Sequence, residues 1–104
     1  MNELLEKVQQ LCDDIQALHF KEYPTLDDYS WNYEIGRKYI KVISNNKWQR
    51  SVWGFINVGN TNFEIGDVLK ADGWKKPALN KARGNLLDGY KVFGMRKHGP
   101  DYLI

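Results

Sequence analysis

Apolar residues recur with helical spacing over the first twenty residues of the chain. The members of this stripe are Leu4, Val8, Leu11, Ile15 and Leu18. Steps of four and three place them on one side of a helix, so the pattern predicts an amphipathic helix over residues 1–22. The stripe either packs on a sheet or forms the seam of a homo-oligomer through helix 2–20, as in a short coiled coil. Because the stripe is short of three heptads, we favour packing on a sheet.

From about residue 30 the pattern changes to the alternation typical of strands. Trp31, Tyr33 and Ile35 alternate with polar residues, and we interpret the interruption at Gly36 as a β-bulge. The strand-like segments are residues 30–44, 50–58 and 63–69. Their short connections predict an antiparallel meander over residues 30–70.

A basic segment of loops follows the meander. Pro77 suits the first turn of a helix and Gly84 the position after its end, which predicts a short helix near residues 77–83. We therefore expect a single α+β domain over residues 1–104. In it the N-terminal amphipathic helix packs on a three- to four-stranded antiparallel sheet, and a basic loop and short-helix region occupies residues 71–104.

Charge is distributed unevenly along the chain, although the net charge is only +2. Residues 1–34 carry eight acidic residues against two lysines, whereas residues 70–98 carry eight basic residues against two acidic ones. Such asymmetry indicates an anionic partner for the basic part or association of unlike surfaces. The alternative is that the two parts neutralise each other within the fold.

The composition gives little support to catalysis, to metal binding or to a membrane protein. The single cysteine, Cys12, lies on the apolar stripe, where a buried and unreactive thiol is expected. His19 and His98 lack further ligands at metal-binding spacing. No apolar run approaches the ~20 residues that span a bilayer, and the N-terminus has no signal-peptide pattern. We expect a cytoplasmic binding domain with no enzymatic activity, cofactor or metal.

The best candidate for a binding site begins at Trp74. Lysines at 75 and 76 precede the predicted helix, whose N-terminal N–H groups would favour an anion, and Trp74 offers a stacking surface. The candidate ligand-binding residues are Lys70, Trp74, Lys75, Lys76, Lys81, Arg83 and Asn85. In the alternative interpretation, Trp74 caps the core, the lysines form a solvated face and Asn85 only ends the helix.

Several motifs in the second part of the chain occur together in one family. They are Lys-Tyr-Ile-Lys-Val at 38–42, Ser-Val at 51–52, Gly-Asp-Val-Leu-Lys at 66–70, Trp-Lys-Lys-Pro-Ala at 74–78, Ala-Arg-Gly-Asn at 82–85 and a Tyr-Leu ending at 102–103. In these motifs the chain resembles a family of small tailed-bacteriophage proteins. The resemblance covers about residues 36–104, and the N-terminal helix lies outside it. His98 stands where the family tends to have an aromatic residue, and Gly73 where it usually has serine.

The resemblance implies a phage accessory protein that acts in the cytoplasm of the infected bacterium, and it supplies no catalytic residues. Our leading hypothesis is a counter-defence or host-takeover protein. It would bind a phosphate-bearing ligand, a nucleotide signal or a nucleic acid, without catalysis. A second hypothesis is a protein–protein inhibitor that docks on a host enzyme through its acidic helix or through exposed aromatics among Trp31, Tyr33 and Trp48. A third is a minor virion or assembly protein.

Overall fold

The computed structural model describes residues 2–24, 29–46, 49–79, 82 and 84–88. Within these residues the chain forms one α-helix, α1 (Asn2–Glu22), and one antiparallel sheet. The strands are β1 (Ser30–Ile35), β2 (Tyr39–Asn45), β3 (Arg50–Asn57), β4 (Asp67–Lys70) and β5 (Gly84–Asn85), and a 3₁₀ turn follows at Leu86–Asp88. None of the described helices is long and apolar enough to cross a bilayer.

The predicted α+β fold is confirmed, but the sheet has five strands in the order β1-β2-β3-β4-β5. The strand count was too low for two reasons: Gly84–Asn85 forms the short strand β5, and the first predicted strand is divided at Gly36. Gly36 is not a bulge but begins the hairpin turn between β1 and β2, where its N–H donates to the Tyr39 carbonyl at 2.9 Å. A Cβ atom at Gly36 would lie 2.8 Å from that carbonyl oxygen, so a side chain would disturb the turn. The register shift lies instead at Val42/Ile43, in the pairing of β2 with β3.

The prediction of a short helix near residues 77–83 is wrong for the residues that the structure describes there, 77–79 and 82, which are not helical. Pro77 forms an isolated bridge with Ala71, and the Asp72 N–H donates to the Lys76 carbonyl at 2.9 Å. Proline fits this extended position as well as a helix start, because neither requires its missing N–H. Residues 71–77 therefore form a loop that folds back on itself, which we call the Trp74 loop.

The core lies between α1 and one face of the sheet. The apolar side chains of this core are Leu4, Val8, Leu11, Cys12, Ile15, Trp31, Ile40, Val42, Trp53, Ile56, Val68 and Leu86. The helical stripe is thus packed against the sheet, and it is not available as a seam for a partner helix. Trp31 is only 7% exposed, so its assignment as an exposed aromatic is wrong. Trp48 lies outside the described residues.

Cys12 is buried in this core, as the sequence predicted. Burial, followed by the negative charge of Asp13, raises the pKa of its thiol from 9.0 to about 12. A thiol with so high a pKa is a poor nucleophile at neutral pH, because the thiolate is the reactive form. Cys12 therefore acts as a small apolar core residue.

Candidate anion-binding groove

The face of the sheet that points away from α1 carries a second set of side chains. In the register, Lys41 of β2 lies between Glu34 of β1 and Phe55 of β3, and Phe55 lies beside Leu69 of β4. Their neighbours Ile40, Ile56 and Val68 belong to the core under α1. Because successive strand residues point to opposite faces, these four side chains lie on the other face, which we call the open face.

The Trp74 loop lies over the open face. The Trp74 ring contacts two cations from neighbouring strands: Lys41 Nζ is 4.3 Å and Arg50 Cζ is 5.4 Å from the ring centroid. Contacts of this kind between a cation and an indole contribute about 0.5–1 kcal/mol at exposed sites. Trp74 remains 40% exposed, so it holds the two cations at the surface rather than filling the core.

A groove of about 250 Å³ opens between the β1–β2 turn and the Trp74 loop. The residues that line it are Glu34, Ile35, Gly36, Arg37, Lys38, Tyr39, Lys41, Phe55 and Lys75. Four of these residues are basic and one is acidic, so the potential in the groove is positive. We call this site the basic groove.

The carboxylate of the basic groove already has a partner. Glu34 Oε2 lies 3.2 Å from an Arg50 guanidinium nitrogen, and both side chains are about half exposed. Arg50 Nε also donates to Asn45 Oδ1 at 3.2 Å, and Asn45 Nδ2 donates to Asn32 Oδ1 at 2.6 Å. This network fixes Arg50 across the strands and offsets the one negative charge, which leaves the cations of the groove available to an anion.

Aromatic side chains and a buried amide support the groove. The rings of Tyr39 and Phe55 meet edge to face with centroids 5.9 Å apart. Asn60 Nδ2 donates to the Tyr39 hydroxyl at 2.8 Å. The backbone of Asn60 is held in turn by the buried Asn57, whose Nδ2 donates to the Asn60 carbonyl and whose Oδ1 accepts from the Asn60 N–H, each at 2.9 Å. The groove therefore rests on side chains with defined partners.

The structure brings some of the predicted site residues to the groove and places others elsewhere. Lys75 lines the groove and Trp74 lies beside it. Lys70 ends β4, where its carbonyl accepts from the Ala78 N–H at 2.7 Å. Lys76 is exposed on the Trp74 loop, where its carbonyl accepts from Asp72. The predictions for Lys81 and Arg83 lie outside the described residues.

Asn85 has a structural role. Its Nδ2 donates to Asp67 Oδ1 at 2.9 Å and to the Ile65 carbonyl at 3.0 Å, while its Oδ1 accepts from the Leu87 N–H at 2.8 Å. These bonds hold β5 and the following 3₁₀ turn against β4. Asn85 does not line the basic groove.

Sequence reasoning missed the basic residues of the first hairpin, Arg37, Lys38 and Lys41, and Arg50 at the start of β3. Charge is densest in the segment after residue 70, whereas the basic residues of the strands stand singly among apolar ones. The available signal was periodicity, because Lys41 is the polar residue between the apolar Ile40 and Val42 and must lie on the opposite face. The helix N-terminus that was to assist anion binding is not formed at Pro77, so the groove depends on side chains.

The acidic helix and the basic groove lie on opposite faces of the sheet. On α1, the carboxylates of Asp13 and Asp14 accept hydrogen bonds from Gln9 and Gln10, at 3.0 and 2.8 Å. The Glu34–Arg50 ion pair forms on the open face itself. Within the described residues, the acidic side chains of α1 and the basic side chains of the groove therefore do not neutralise each other directly.

The described residues offer no cluster of three or more His, Cys, Asp or Glu side chains that could hold a metal ion. His19 is buried in a group of aromatic rings, with Tyr29 at 4.4 Å and Trp31 at 5.4 Å between ring centroids. His19 therefore belongs to the packing of the core and lies on the side of the sheet away from the basic groove.

Comparison with known proteins gives a family but no activity. No curated protein and no solved structure matches the chain. The matching family model covers residues 1–97, so it includes α1, which the resemblance to phage proteins left out. By this match the chain belongs to a family of unknown function, DUF7717.

Proposed function

We propose that the protein binds a phosphate-bearing ligand, a nucleotide or a nucleic acid, in the basic groove and does so without catalysis. One observation carries the proposal: four basic side chains from two separate segments meet in one groove whose only carboxylate is paired with Arg50. Bringing like charges together is unfavourable unless an anion offsets them, so a surface that holds them in place is suited to an anion.

The side chains of the groove are suited to a phosphate group. Arg37 presents a planar guanidinium that can bind two phosphate oxygens at once, and the lysines add single charges. Lys41 is already held at the Trp74 ring. Because its position is fixed before the ligand arrives, less side-chain entropy is lost on binding.

The exposure of the groove favours a nucleic acid over a free nucleotide. Arg37, Lys38 and Lys75 are all exposed, and Trp74 stands at the rim with part of its ring uncovered. A ligand in such a site extends beyond it, as a single strand does, whereas small-molecule sites usually bury most of the ligand. Trp74 contributes by positioning the cations, and stacking on a base is a further use of its exposed surface.

The resemblance to tailed-bacteriophage proteins supplies the setting of this proposal. A phage accessory protein in the cytoplasm of an infected bacterium meets nucleic acids and nucleotide signals of the host. Binding either of them without cleaving it would serve counter-defence or host takeover.

Salt dependence of binding tests the proposal and separates its two ligand classes. For a single-stranded oligonucleotide held by four cations, we expect log K to fall against log salt concentration with a slope of about −3. The affinities of the oligonucleotide and of ATP, the second ligand to be tested, are both measured by isothermal titration calorimetry. Binding of ATP alone, with a shallow slope, would assign the groove to nucleotides. If neither ligand binds at low salt, the proposed function is wrong.

A second candidate function is inhibition of a host protein through the acidic face of α1. It is favoured by Glu3, Glu6 and Asp13, which are exposed on the helix and lie away from the basic groove. An acidic surface of this kind can occupy a basic cleft that normally binds nucleic acid. Because the two functions use opposite faces of the sheet, substitutions in the groove affect only the first.

A further inference from the structure

Strand β1 forms one edge of the sheet, and within the described residues its neighbour is β2 alone. The hairpin turn fixes which backbone groups of β1 face outward. The Gly36 N–H donates to the Tyr39 carbonyl across the turn. In an antiparallel pair only every second residue bonds to the neighbouring strand, so the residues of β1 whose backbone groups bond to β2 are Glu34, Asn32 and Ser30. The N–H and C=O groups of Trp31, Tyr33 and Ile35 therefore point away from β2.

This edge has few of the features that usually prevent strands from pairing. Its sequence, Ser-Trp-Asn-Tyr-Glu-Ile, contains no proline and no lysine, its one charged residue, Glu34, is paired with Arg50, and its pairing with β2 continues from Ser30 to Ile35 without a bulge. At its end Ile35 is 58% exposed, an unusually uncovered position for a large apolar side chain in a strand. An edge of this kind is a template for a further strand.

We propose that two copies of the chain pair through β1, antiparallel about a two-fold axis at Tyr33. In this register Tyr33 lies opposite Tyr33 of the partner subunit, and Trp31 lies opposite Ile35 of the partner subunit. Among the registers with two-fold symmetry, this one lets the outward-facing backbone groups of all three residues, Trp31, Tyr33 and Ile35, bond to those of the second copy.

The side chains suit the same register. Directly opposed residues of antiparallel strands share a face, so the exposed Ile35 comes to lie on the helix side beside the strand position of Trp31 of the partner subunit. The indole of Trp31 is itself already buried in the core, so the cover gained is that of Ile35. On the open face Asn32 lies opposite Glu34 of the partner subunit, an amide beside a carboxylate. No like charges are opposed, and a second copy therefore fits the edge without a charge penalty.

The pairing has a consequence for the basic groove, although it does not depend on the proposed ligand. A two-fold axis perpendicular to the sheet joins the strands into one continuous sheet and keeps both open faces on the same side. Glu34 lines the groove and lies at the junction on the open face, opposite Asn32 of the partner subunit. The two grooves would therefore lie on the same side of one sheet, where an anion longer than either groove would contact both.

Molar mass in solution, measured by sedimentation equilibrium without any ligand, tests the pairing. We expect wild type to be a dimer that dissociates on dilution, and Ile35→Lys to raise the dissociation constant by at least about tenfold. Ile65→Lys is the matched control, because Ile65 is also 58% exposed and lies outside β1. A monomeric wild type, or equal effects of the two substitutions, would overturn the proposal.

Mild oxidation of cysteine variants tests the register. Tyr33→Cys should give a disulfide-linked dimer, because the paired Cα atoms lie about 5.5 Å apart, within the range for a disulfide. Ile35→Cys should not, because the two copies of residue 35 are about 14 Å apart along the strands. The buried Cys12 does not compete. Cross-linking of Ile35→Cys, or of neither variant, would show that this register is wrong.

Discussion

Replacing Lys41 and Lys75 together by glutamate is expected to weaken oligonucleotide binding by at least about a hundredfold. Both residues line the basic groove, Lys41 from the middle of the sheet and Lys75 from the Trp74 loop. A hydrogen bond to a charged group contributes about 1.5–3 kcal/mol, and each reversal also adds repulsion to the phosphate. Fluorescence anisotropy of a labelled oligonucleotide at a fixed ionic strength of about 0.15 M measures the change.

The matched control is the double variant Lys7→Glu and Lys21→Glu. Both lysines are exposed on α1, and the variant changes the net charge by the same amount. If the groove binds the ligand, this control should retain affinity within a few-fold, because exposed charges beyond a Debye length of about 8 Å are largely screened. An equal loss in both double variants would mean that only the overall charge matters, and the groove would not be the site.

Trp53→Ala is expected to cost about 3–5 kcal/mol of unfolding free energy. Trp53 belongs to β3 and is only 2% exposed, in the core beneath α1. A small domain has a total stability of about 5–15 kcal/mol, so the variant should lose a large fraction of its stability and unfold at a clearly lower urea concentration than wild type. Urea denaturation followed by circular dichroism measures the loss.

Trp74→Ala is the control for Trp53→Ala, because it removes the same side chain from a position outside the core. Trp74 is 40% exposed and contacts cations on the open face, so Trp74→Ala should cost only about 1 kcal/mol or less. It should still weaken ligand binding, because Lys41 and Arg50 lose the ring that holds them. A Trp74→Ala variant as unstable as Trp53→Ala would show that Trp74 is part of the core, as the alternative sequence interpretation held.

Local patterns in the sequence were sufficient for most of the fold. The four-three spacing from Leu4 onward predicted the helix and its buried face, and the alternation after residue 30 predicted the meander. The errors fell at Gly36 and Pro77, whose local signals are ambiguous. Glycine occurs in both bulges and turns, and proline occurs both at helix starts and at sheet edges. Which of the two structures forms at each position is decided by pairing with distant parts of the chain.

The binding site was only partly predictable, for a related reason. Trp74 and Lys75 stood out because they are adjacent in the sequence and rich in charge. Their neighbours in space, Lys41 and Arg50, come from strands more than twenty residues earlier. Only the strand register brings them to the same face, and register follows from turns and packing that a linear charge count does not include.

The most direct test of the basic groove as the phosphate site is an amide chemical-shift titration of the full chain with a single-stranded oligonucleotide. We expect saturable shifts at Arg37, Lys38 and Lys75, which line the groove from the β1–β2 turn and from the Trp74 loop, and little change along α1. Saturable shifts confined to α1, or none at groove residues when ligand is in excess, would contradict the assignment of the ligand site to this groove.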